Sequence, residues 1–302
     1  MYEKFYRFEH TPFNMTPDSK FFYPSQKHEE ALSRLLVAIS QRNGFAVVTG
    51  EIGSGKTTVC RTLLNKLDTA TKVALILNTH LTRKELLTTI LEDLNIEYKS
   101  GSKTHLLSAL NDYLLERAKD GVNVVIIIDE AQNLTPSVLE EVRMLSNLET
   151  EEEKLLQIIL IGQPELKKKL SHPNMIQFSQ RIVFYYHLEP LDYNETKEYI
   201  RHRIHKAGCL NETLFTALAL DAVYGYSQGI PRLINLICHN ALLNGFISES
   251  TIITASHVKE AAEDLLHNIH LKEPEKETKK VEIQEAIKNT AIIGPLAVID
   301  GQ

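Results

Sequence analysis

A glycine-rich loop carries the first residues whose types and spacing could do chemistry. Residues 50–57 read Gly-Glu-Ile-Gly-Ser-Gly-Lys-Thr and fit the pattern GxxxxGK[ST] in full, directly after an apolar run and directly before a helical pattern. The backbone N–H groups of such a loop can surround a polyphosphate where glycine removes the Cβ atoms. Lys56 then places a positive charge on the β- and γ-phosphates, and the Thr57 hydroxyl takes a Mg²⁺ position. The predicted cofactor-binding residues of this loop are Gly50, Glu51, Ile52, Gly53, Ser54, Gly55, Lys56, Thr57 and Thr58.

An acidic pair supplies the second half of the predicted site. Asp129 and Glu130 follow the apolar run that begins at Val124. A carboxylate at the C-terminal end of a buried strand can hold Mg²⁺, and the next carboxylate can polarise an attacking water. We therefore assign Asp129 to the metal and Glu130 to the general base. Strand ends often carry acids only for solubility, so this assignment depends on the phosphate loop upstream.

Phosphoryl transfer usually also needs an arginine, because negative charge spreads over the γ-phosphate. The sequence offers three candidates. Arg181 precedes the last apolar run, where a neighbouring subunit could use it. Arg232 follows Gly229-Ile-Pro and begins a helical pattern that could reach the nucleotide from within the chain. Arg143 lies on the helix after the acidic pair, and for any isolated arginine a solvated or ion-paired side chain is the commoner outcome.

Alternating β-rich and helical patterns must position these residues. Short apolar runs separated by longer helical patterns indicate a parallel sheet covered by helices. The runs are continuous and not alternating, so we expect strands that are buried on both faces. The predicted strands are Phe45–Gly50, Val73–Asn78, Val124–Asp129, Ile158–Ile161 and Ile182–His187.

Beyond Leu191 the sequence predicts only helices, with Gly225, Gly229 and Pro231 as breaks. The predicted organisation is an N-terminal segment with a lead-in helix at 1–44, a phosphate-loop α/β domain at 45–191 and a helical lid domain at 192–267. Residues 268–302 are rich in Lys and Glu at first, and we expect a mobile tail or, as the alternative, a peptide that docks on a partner.

The overall composition is that of an ordinary globular protein and names no partner. Lys plus Arg number 33 and Asp plus Glu number 39, so the net charge is −6. The three cysteines are widely spaced, which predicts neither a disulfide framework nor a zinc site. No apolar run has the length of a membrane span, and no signal peptide is evident at the start. We expect a cytoplasmic protein that reaches the inner membrane, if at all, through partners.

Six short motifs, together with the phosphate loop, resemble one known family. The motifs are DEAQNL (129–134), LIGQPEL (160–166), FSQRI (178–182), LEPL (188–191), GIPR (229–232) and the opening YEKFY (2–6). In combination they are similar to AAA+ ATPases of the secretion group typified by the ExeA/GspA proteins of bacterial type II secretion. Relatives in that group serve pilus biogenesis and exosortase loci. The resemblance covers about residues 1–267.

The resemblance implies a five-stranded parallel sheet of order 5-1-4-3-2 with a C-terminal helical lid, and ATP and Mg²⁺ as cofactors. It places Gln163 at the sensor-1 position, Arg181 in the arginine-finger region and Arg232 at the sensor-2 position. Ile230 and Pro231 would lie near the adenine. Asn78 matches the polar position that orients the catalytic glutamate in many AAA+ proteins.

Three functions remain open at this point. The first is an ATP-hydrolysing motor or switch for secretion, pilus or exosortase assembly, acting as an ATP-dependent homo-oligomer. The alternative is a DNA-associated transposition or replication helper, for which the basic runs Lys167–Lys169 and Arg201–Lys206 are the support. A nucleotide-binding scaffold with little hydrolysis is the third, and Glu130 and Arg181 argue against it.

Overall fold

Five parallel strands form one sheet in the computed structural model, which describes residues 1–16, 18–42, 44–68, 70–99, 101–151, 153–211 and 213–269. The strand order is β2-β3-β4-β1-β5, and every neighbouring pair is parallel. Read from the other edge this is 5-1-4-3-2, so the predicted strand order is confirmed. The strands are β1 (Phe45–Gly50), β2 (Lys72–Ile76), β3 (Val124–Ile128), β4 (Gln157–Gly162) and β5 (Ile182–Leu188).

The three central strands are buried at every residue, as continuous apolar runs predict. The outer strands β2 and β5 instead keep exposed and half-buried residues, because each has a neighbouring strand on one side only. Helices α2 (Gln26–Gln41) and α3 (Lys56–Lys66) cover one face of the sheet and share a core with Val48, Ile127 and Ile159. The opposite face is covered by five helices that enclose a larger core. These are α4 (Arg83–Asp93), α5 (Lys103–Lys119), α6 (Pro136–Leu145), α7 (Pro164–Leu170) and α8 (Ile176–Ser179). The P-loop α/β fold class is therefore confirmed.

Four helices follow the sheet and form a third core. They are α9 (Tyr193–Lys206), α10 (Ala217–Ser227), α11 (Pro231–Ile247) and α12 (Ala255–Ile269). A capping box at Asp192 and Glu195 starts α9. Gly229 and Pro231 separate α10 from α11 as predicted, whereas Gly225 lies inside α10 and breaks nothing. The predicted tail lies outside the described residues from residue 270 onward.

The N-terminal segment contributes to two of these cores, the one among α9–α12 and the one between the sheet and helices α2 and α3. Helix α1 (Tyr2–Phe5) and the aromatic residues after it pack among α9–α12, with Tyr2, Phe13 and Phe21 all buried there. Helix α2 instead packs on the sheet. The chain between residues 21 and 26 therefore joins the helical lid to the α/β layer.

The strand ends differ from prediction by one or two residues. Strand β2 begins at Lys72 and ends at Ile76, because its pairing with β3 stops at Ile128. Leu77 and Asn78 are exposed beyond that last pair. Among the residues that the structure describes, no helix combines the length and the apolar character needed to cross a bilayer.

Candidate nucleotide site

The glycine-rich loop lies between β1 and α3 and packs tightly on both sides. Gly53 and Gly55 have φ angles of 82° and 99°, which L side chains rarely adopt. A Cβ atom on Gly55 would lie 2.6 Å from Nε2 of His28, and one on Gly53 would lie 2.6 Å from Cβ of Arg232. Glycine at these two positions therefore allows both the turn and the close approach of its neighbours.

Lys56 is held at the centre of the loop. Its side chain is buried, and Nζ donates hydrogen bonds to the carbonyl oxygens of Gly50 and Glu51, both at 2.8 Å. Burial lowers the pKa of Lys56, while the negative charges of Glu130 and Asp129 oppose that shift. The ammonium group thus has two neutral acceptors. It also lines a cavity in which a bound anionic ligand could replace them.

Asp129 and Thr57 form an oxygen pair that suits Mg²⁺. Asp129 follows the end of β3 and is buried, and Oγ1 of Thr57 donates to its Oδ2 over 3.4 Å. Burial, with the negative charge of Glu130, raises the pKa of Asp129, although the Glu130 N–H donates to Oδ1 at 2.9 Å and opposes the shift. Mg²⁺ commonly binds one or two protein oxygens together with substrate phosphates and water, and this pair fits that pattern.

Glu130 is fixed by two glutamine side chains. Its Oε2 accepts a hydrogen bond from Nε2 of Gln132 at 2.5 Å and another from Nε2 of Gln163 at 3.1 Å. The structure thus brings the sensor-1 candidate Gln163 to the candidate base. Asn78 is not brought there, because its exposed side chain accepts a hydrogen bond from the N–H of His80 at 3.2 Å. Gln132, which the sequence analysis did not single out, contacts Glu130 instead.

A cavity of about 400 Å³ joins these groups, which is within the usual size range for a small-molecule site. Its lining includes Lys56, Thr57, Thr58, Glu130 and Gln163. The lining also includes Ile52, Gly53, Gly55, Pro231 and Arg232. Most of the predicted cofactor-binding residues therefore line the same cavity. Asp129 lies behind this surface and is reached through Thr57.

Arg232 connects the helical lid to the loop. Its backbone N–H donates to the carbonyl oxygen of Gly53 at 3.2 Å, at the start of α11. The side chain is exposed and lines the cavity. The structure therefore places the sensor-2 candidate beside the phosphate loop of the same chain.

Arg181 and Arg143 lie at the other end of the sheet, where strand β1 begins. The Arg181 carbonyl accepts from the N–H of Phe45, the first residue of β1, at 2.9 Å. Its guanidinium donates to Oγ of Ser146 at 2.7 Å and to Oδ1 of Asn147 at 2.5 Å. Arg143 makes a two-pronged contact with Glu140, at 2.9 and 2.7 Å. Neither arginine reaches the cavity of its own chain.

The N-terminal segment supplies a wall of the cavity that sequence reasoning missed. Met15, Phe22, Tyr23 and His28 all line it. Nε2 of His28 lies 3.1 Å from the carbonyl oxygen of Ser54, inside the phosphate loop. No pattern of spacing links residue 28 to residue 54, and only the capping residue Ser25 signals the start of the helix that carries His28.

Comparison with known proteins agrees with this geometry. Residues 39–170 match the family model described as an AAA domain. The chain is 43% identical over 263 residues to general secretion pathway protein A of Aeromonas hydrophila, covering 87% of this chain and 48% of that protein. The chain thus spans about half the length of that relative.

Solved structures of low identity share the fold. Cdc6p of Pyrobaculum aerophilum is 17% identical with a TM-score of 0.59, covering 91% of this chain and 90% of that one. The Aeropyrum pernix Orc1 protein, solved in complex with DNA, is 16% identical with a TM-score of 0.60, covering 96% and 84%. These likenesses concern the fold alone. Residues 39–170 thus resemble the AAA domain family, and the predicted resemblance of the chain to the ExeA/GspA-type AAA+ ATPases is confirmed.

Proposed function

We propose that this protein hydrolyses ATP to ADP and phosphate, with Mg²⁺, to drive or switch a bacterial secretion, pilus or exosortase assembly system. The observation that carries the proposal is the convergence of Lys56, Glu130 and Arg232 on one cavity. A cation for the phosphates, a candidate base and a lid arginine are the parts that phosphoryl transfer to water requires.

Each residue has a distinct part in this reaction. Lys56 exchanges its two carbonyl acceptors for phosphate oxygens, and Thr57 and Asp129 would hold the metal. When bound, Mg²⁺ would supply positive charge that offsets the negative charge of the phosphates. Glu130 accepts the proton of the attacking water, and Gln163 lies within hydrogen-bond distance of the same carboxylate. Arg232 acts on the nucleotide of its own chain, and Arg181 acts on that of a neighbour.

The proposed partners follow from the relative and from the position of Arg181. The relative, general secretion pathway protein A, points to secretion proteins as the class of partner, and the family resemblance extends this class to pilus or exosortase-locus proteins. We place the protein in the cytoplasm, at the inner membrane only through those partners. An arginine that cannot reach its own nucleotide requires a second copy, so the proposed active form is an ATP-dependent homo-oligomer.

The contacts of the basic runs do not favour the DNA-associated alternative. Nζ of Lys169 donates to the backbone carbonyls of Gln132 and Leu134. Arg203 is buried and donates to the Pro12 carbonyl at 2.6 Å. Arg201 pairs with Glu198 at 2.7 Å. Three of the cations are thus engaged within the chain. Strong binding to duplex DNA that weakens steeply with salt would revive the alternative.

Steady-state hydrolysis measured with Glu130→Gln tests the proposal. The substitution keeps the shape of the side chain and removes its basicity, so turnover should fall by at least about 100-fold, in line with the 10²–10⁴ expected of a general base. ATP binding should remain. Glu97→Gln is the matched control, because Glu97 is exposed on the surface and should leave turnover unchanged. Normal hydrolysis by Glu130→Gln would contradict the assignment of the base.

A further inference from the structure

We propose that Gln132 is the positioning residue of the ATPase: its side-chain amide aims the Glu130 carboxylate and ties it to the end of strand β4. The inference rests on the proposed function, in which Glu130 is the general base. Gln132 does not line the cavity, so its effect on the reaction must pass through the residues it contacts.

The orientation of the Gln132 amide is determined by its neighbours. The backbone N–H of Gln163 can only donate, and it lies 2.9 Å from Oε1 of Gln132. This contact fixes the oxygen of the amide on the β4 side. The amide nitrogen must then face the other way, where it lies 2.5 Å from Oε2 of Glu130. Donor and acceptor are therefore both used, and a flipped amide would lose both hydrogen bonds.

The surroundings hold Gln132 in this place. The residue is only 8% exposed, in the turn between β3 and α6. A Cβ atom on Gly162 would lie 2.8 Å from Oε1 of Gln132, so glycine there makes room for the amide. Nζ of Lys169 also donates to the Gln132 carbonyl. The amide is thus fixed from β4, from α7 and from its own turn.

Glu130 needs such support. Its φ angle is 51°, in the left-handed region that residues with a Cβ rarely occupy. Gln132 and Gln163 both donate to Oε2. Among the described residues none donates to Oε1, which leaves that oxygen available to accept the proton of the water. The pair of amides thereby selects which carboxylate oxygen meets the water.

Gln163 takes part in both arms of this arrangement. Its backbone N–H holds Gln132, and its side chain holds Glu130. The three residues therefore form a closed set of hydrogen bonds between the ends of β3 and β4. Any shift of α7, which begins directly after Gln163, would move both supports of the base together.

Two variants separate positioning from simple structural support. Gln132→Met removes both hydrogen bonds at similar length. Gln132→Glu keeps an acceptor for the Gln163 N–H but places a second carboxylate, in place of a donor, beside Glu130. Asn133→Met is the matched control, because Asn133 is the exposed neighbour in the same turn.

Single-turnover hydrolysis, ATP affinity and thermal stability are measured for all variants and for wild type. Both Gln132 variants should lower the hydrolysis rate by at least about 10-fold, since misplacing a catalytic group by about 1 Å can cost about 10²-fold. ATP affinity should stay within about threefold, and Asn133→Met should match wild type. In a Glu130→Gln background, Gln132→Met should cause no further loss, because the group it positions is already absent.

The inference is overturned if Gln132→Glu hydrolyses ATP at the wild-type rate, since the link to Gln163 alone would then suffice. It is also overturned if Gln132→Met lowers the rate equally with and without Glu130. Failure of the proposed function has a different signature. In that case wild type shows no hydrolysis that depends on Lys56, whatever residue stands at 132.

Discussion

At the scale of one residue, the side chain of Lys56 is already held in a position from which it could bind a phosphate. Its amine is buried between two backbone carbonyls, and burial lowers its pKa. Carbonyl oxygens carry only partial charge, so a phosphate is a stronger acceptor for the same amine. Exchange of one for the other costs little rearrangement, because the side chain already lines the cavity.

Lys56→Ala should abolish ATP binding. The substitution removes the cation and leaves the carbonyls of Gly50 and Glu51 without their donor. Lys66→Ala is the matched control, because Lys66 is exposed at the end of the same helix. Titration with a fluorescent ATP analogue measures both. An affinity within about threefold of wild type, or about 0.65 kcal/mol, would contradict the role given to Lys56.

Sequence reasoning at this scale works where the chemistry is contiguous. Lys56, Asp129 and Glu130 stand in motifs whose spacing alone predicts their neighbours. The support of Glu130 shows the limit. The family resemblance implies a role for Asn78 as the last residue of the predicted second strand, but β2 ends at Ile76 and the Asn78 side chain accepts from the N–H of His80. Gln132 follows Glu130 by two residues in the same turn, but its contact with the Gln163 N–H at the end of β4 joins distant residues, which no local pattern specifies.

Helix α2 links the phosphate loop to the N-terminal segment at the scale of elements. The Ser54 carbonyl can only accept, so Nε2 of His28 carries the proton that it receives. Nδ1 is then an acceptor for the Ser25 hydroxyl at 2.6 Å. Neutral imidazole with the proton on Nε2 satisfies both contacts. Burial lowers the pKa of His28 below 6.5. The hydrogen bond to Ser54 and the charge of Glu195 oppose that shift, while Lys27 adds to it.

His28→Gln should retain a donor for Ser54 and remove the titration. A histidine whose folded pKa is lowered stabilises the fold fully above pH 6.5, and this contribution is lost as the pH falls toward the folded pKa. Melting temperatures measured between pH 7.5 and 5.5 should therefore fall more for wild type than for His28→Gln. His28→Leu, which has no donor, should weaken ATP binding where His28→Gln does not. Equal pH slopes for wild type and His28→Gln would contradict the titration.

The elements themselves follow closely from the sequence, for a physical reason. Strands buried on both faces must be apolar throughout, so β1, β3 and β4 stand out from the helices around them. The packing of Tyr2, Phe13 and Phe21 among α9–α12 could not be predicted in this way. Those contacts join residues far apart in the chain. The aromatic residues at the start show no periodic pattern from which the helices that they contact could be predicted.

At the scale of the whole molecule, the candidate catalytic groups lie at opposite ends of the strands. Gly50 ends β1, whereas Arg181 lies beside Phe45 at its start. Five residue steps of about 3.3 Å each separate the two ends by roughly 17 Å. An arginine held by Ser146 and Asn147 does not cross that distance. The proposed finger role of Arg181 therefore requires a nucleotide bound to another copy, and we expect the contact between copies to be head to tail.

Hydrolysis should accordingly be restored by mixing two inactive variants. Arg181→Ala should inactivate the nucleotide site of a neighbouring copy, whereas Glu130→Gln should inactivate the nucleotide site of its own chain. In a mixed assembly some interfaces join an intact Glu130 on one chain to an intact Arg181 on the next. An arginine finger is worth about 10³ or more in rate, so even a minority of such interfaces should be visible in a phosphate-release assay.

Arg232→Ala mixed with Glu130→Gln is the matched control, since each variant lacks a group that acts within its own chain. That mixture should stay inactive, because the chain with an intact Glu130 still lacks its own Arg232. Hydrolysis per chain should also rise with protein concentration for wild type, because the contact between copies forms only on assembly. Normal turnover by Arg181→Ala alone would transfer the finger role to Arg143. Equal rescue of both mixtures would show that Arg232, too, acts across the interface between copies.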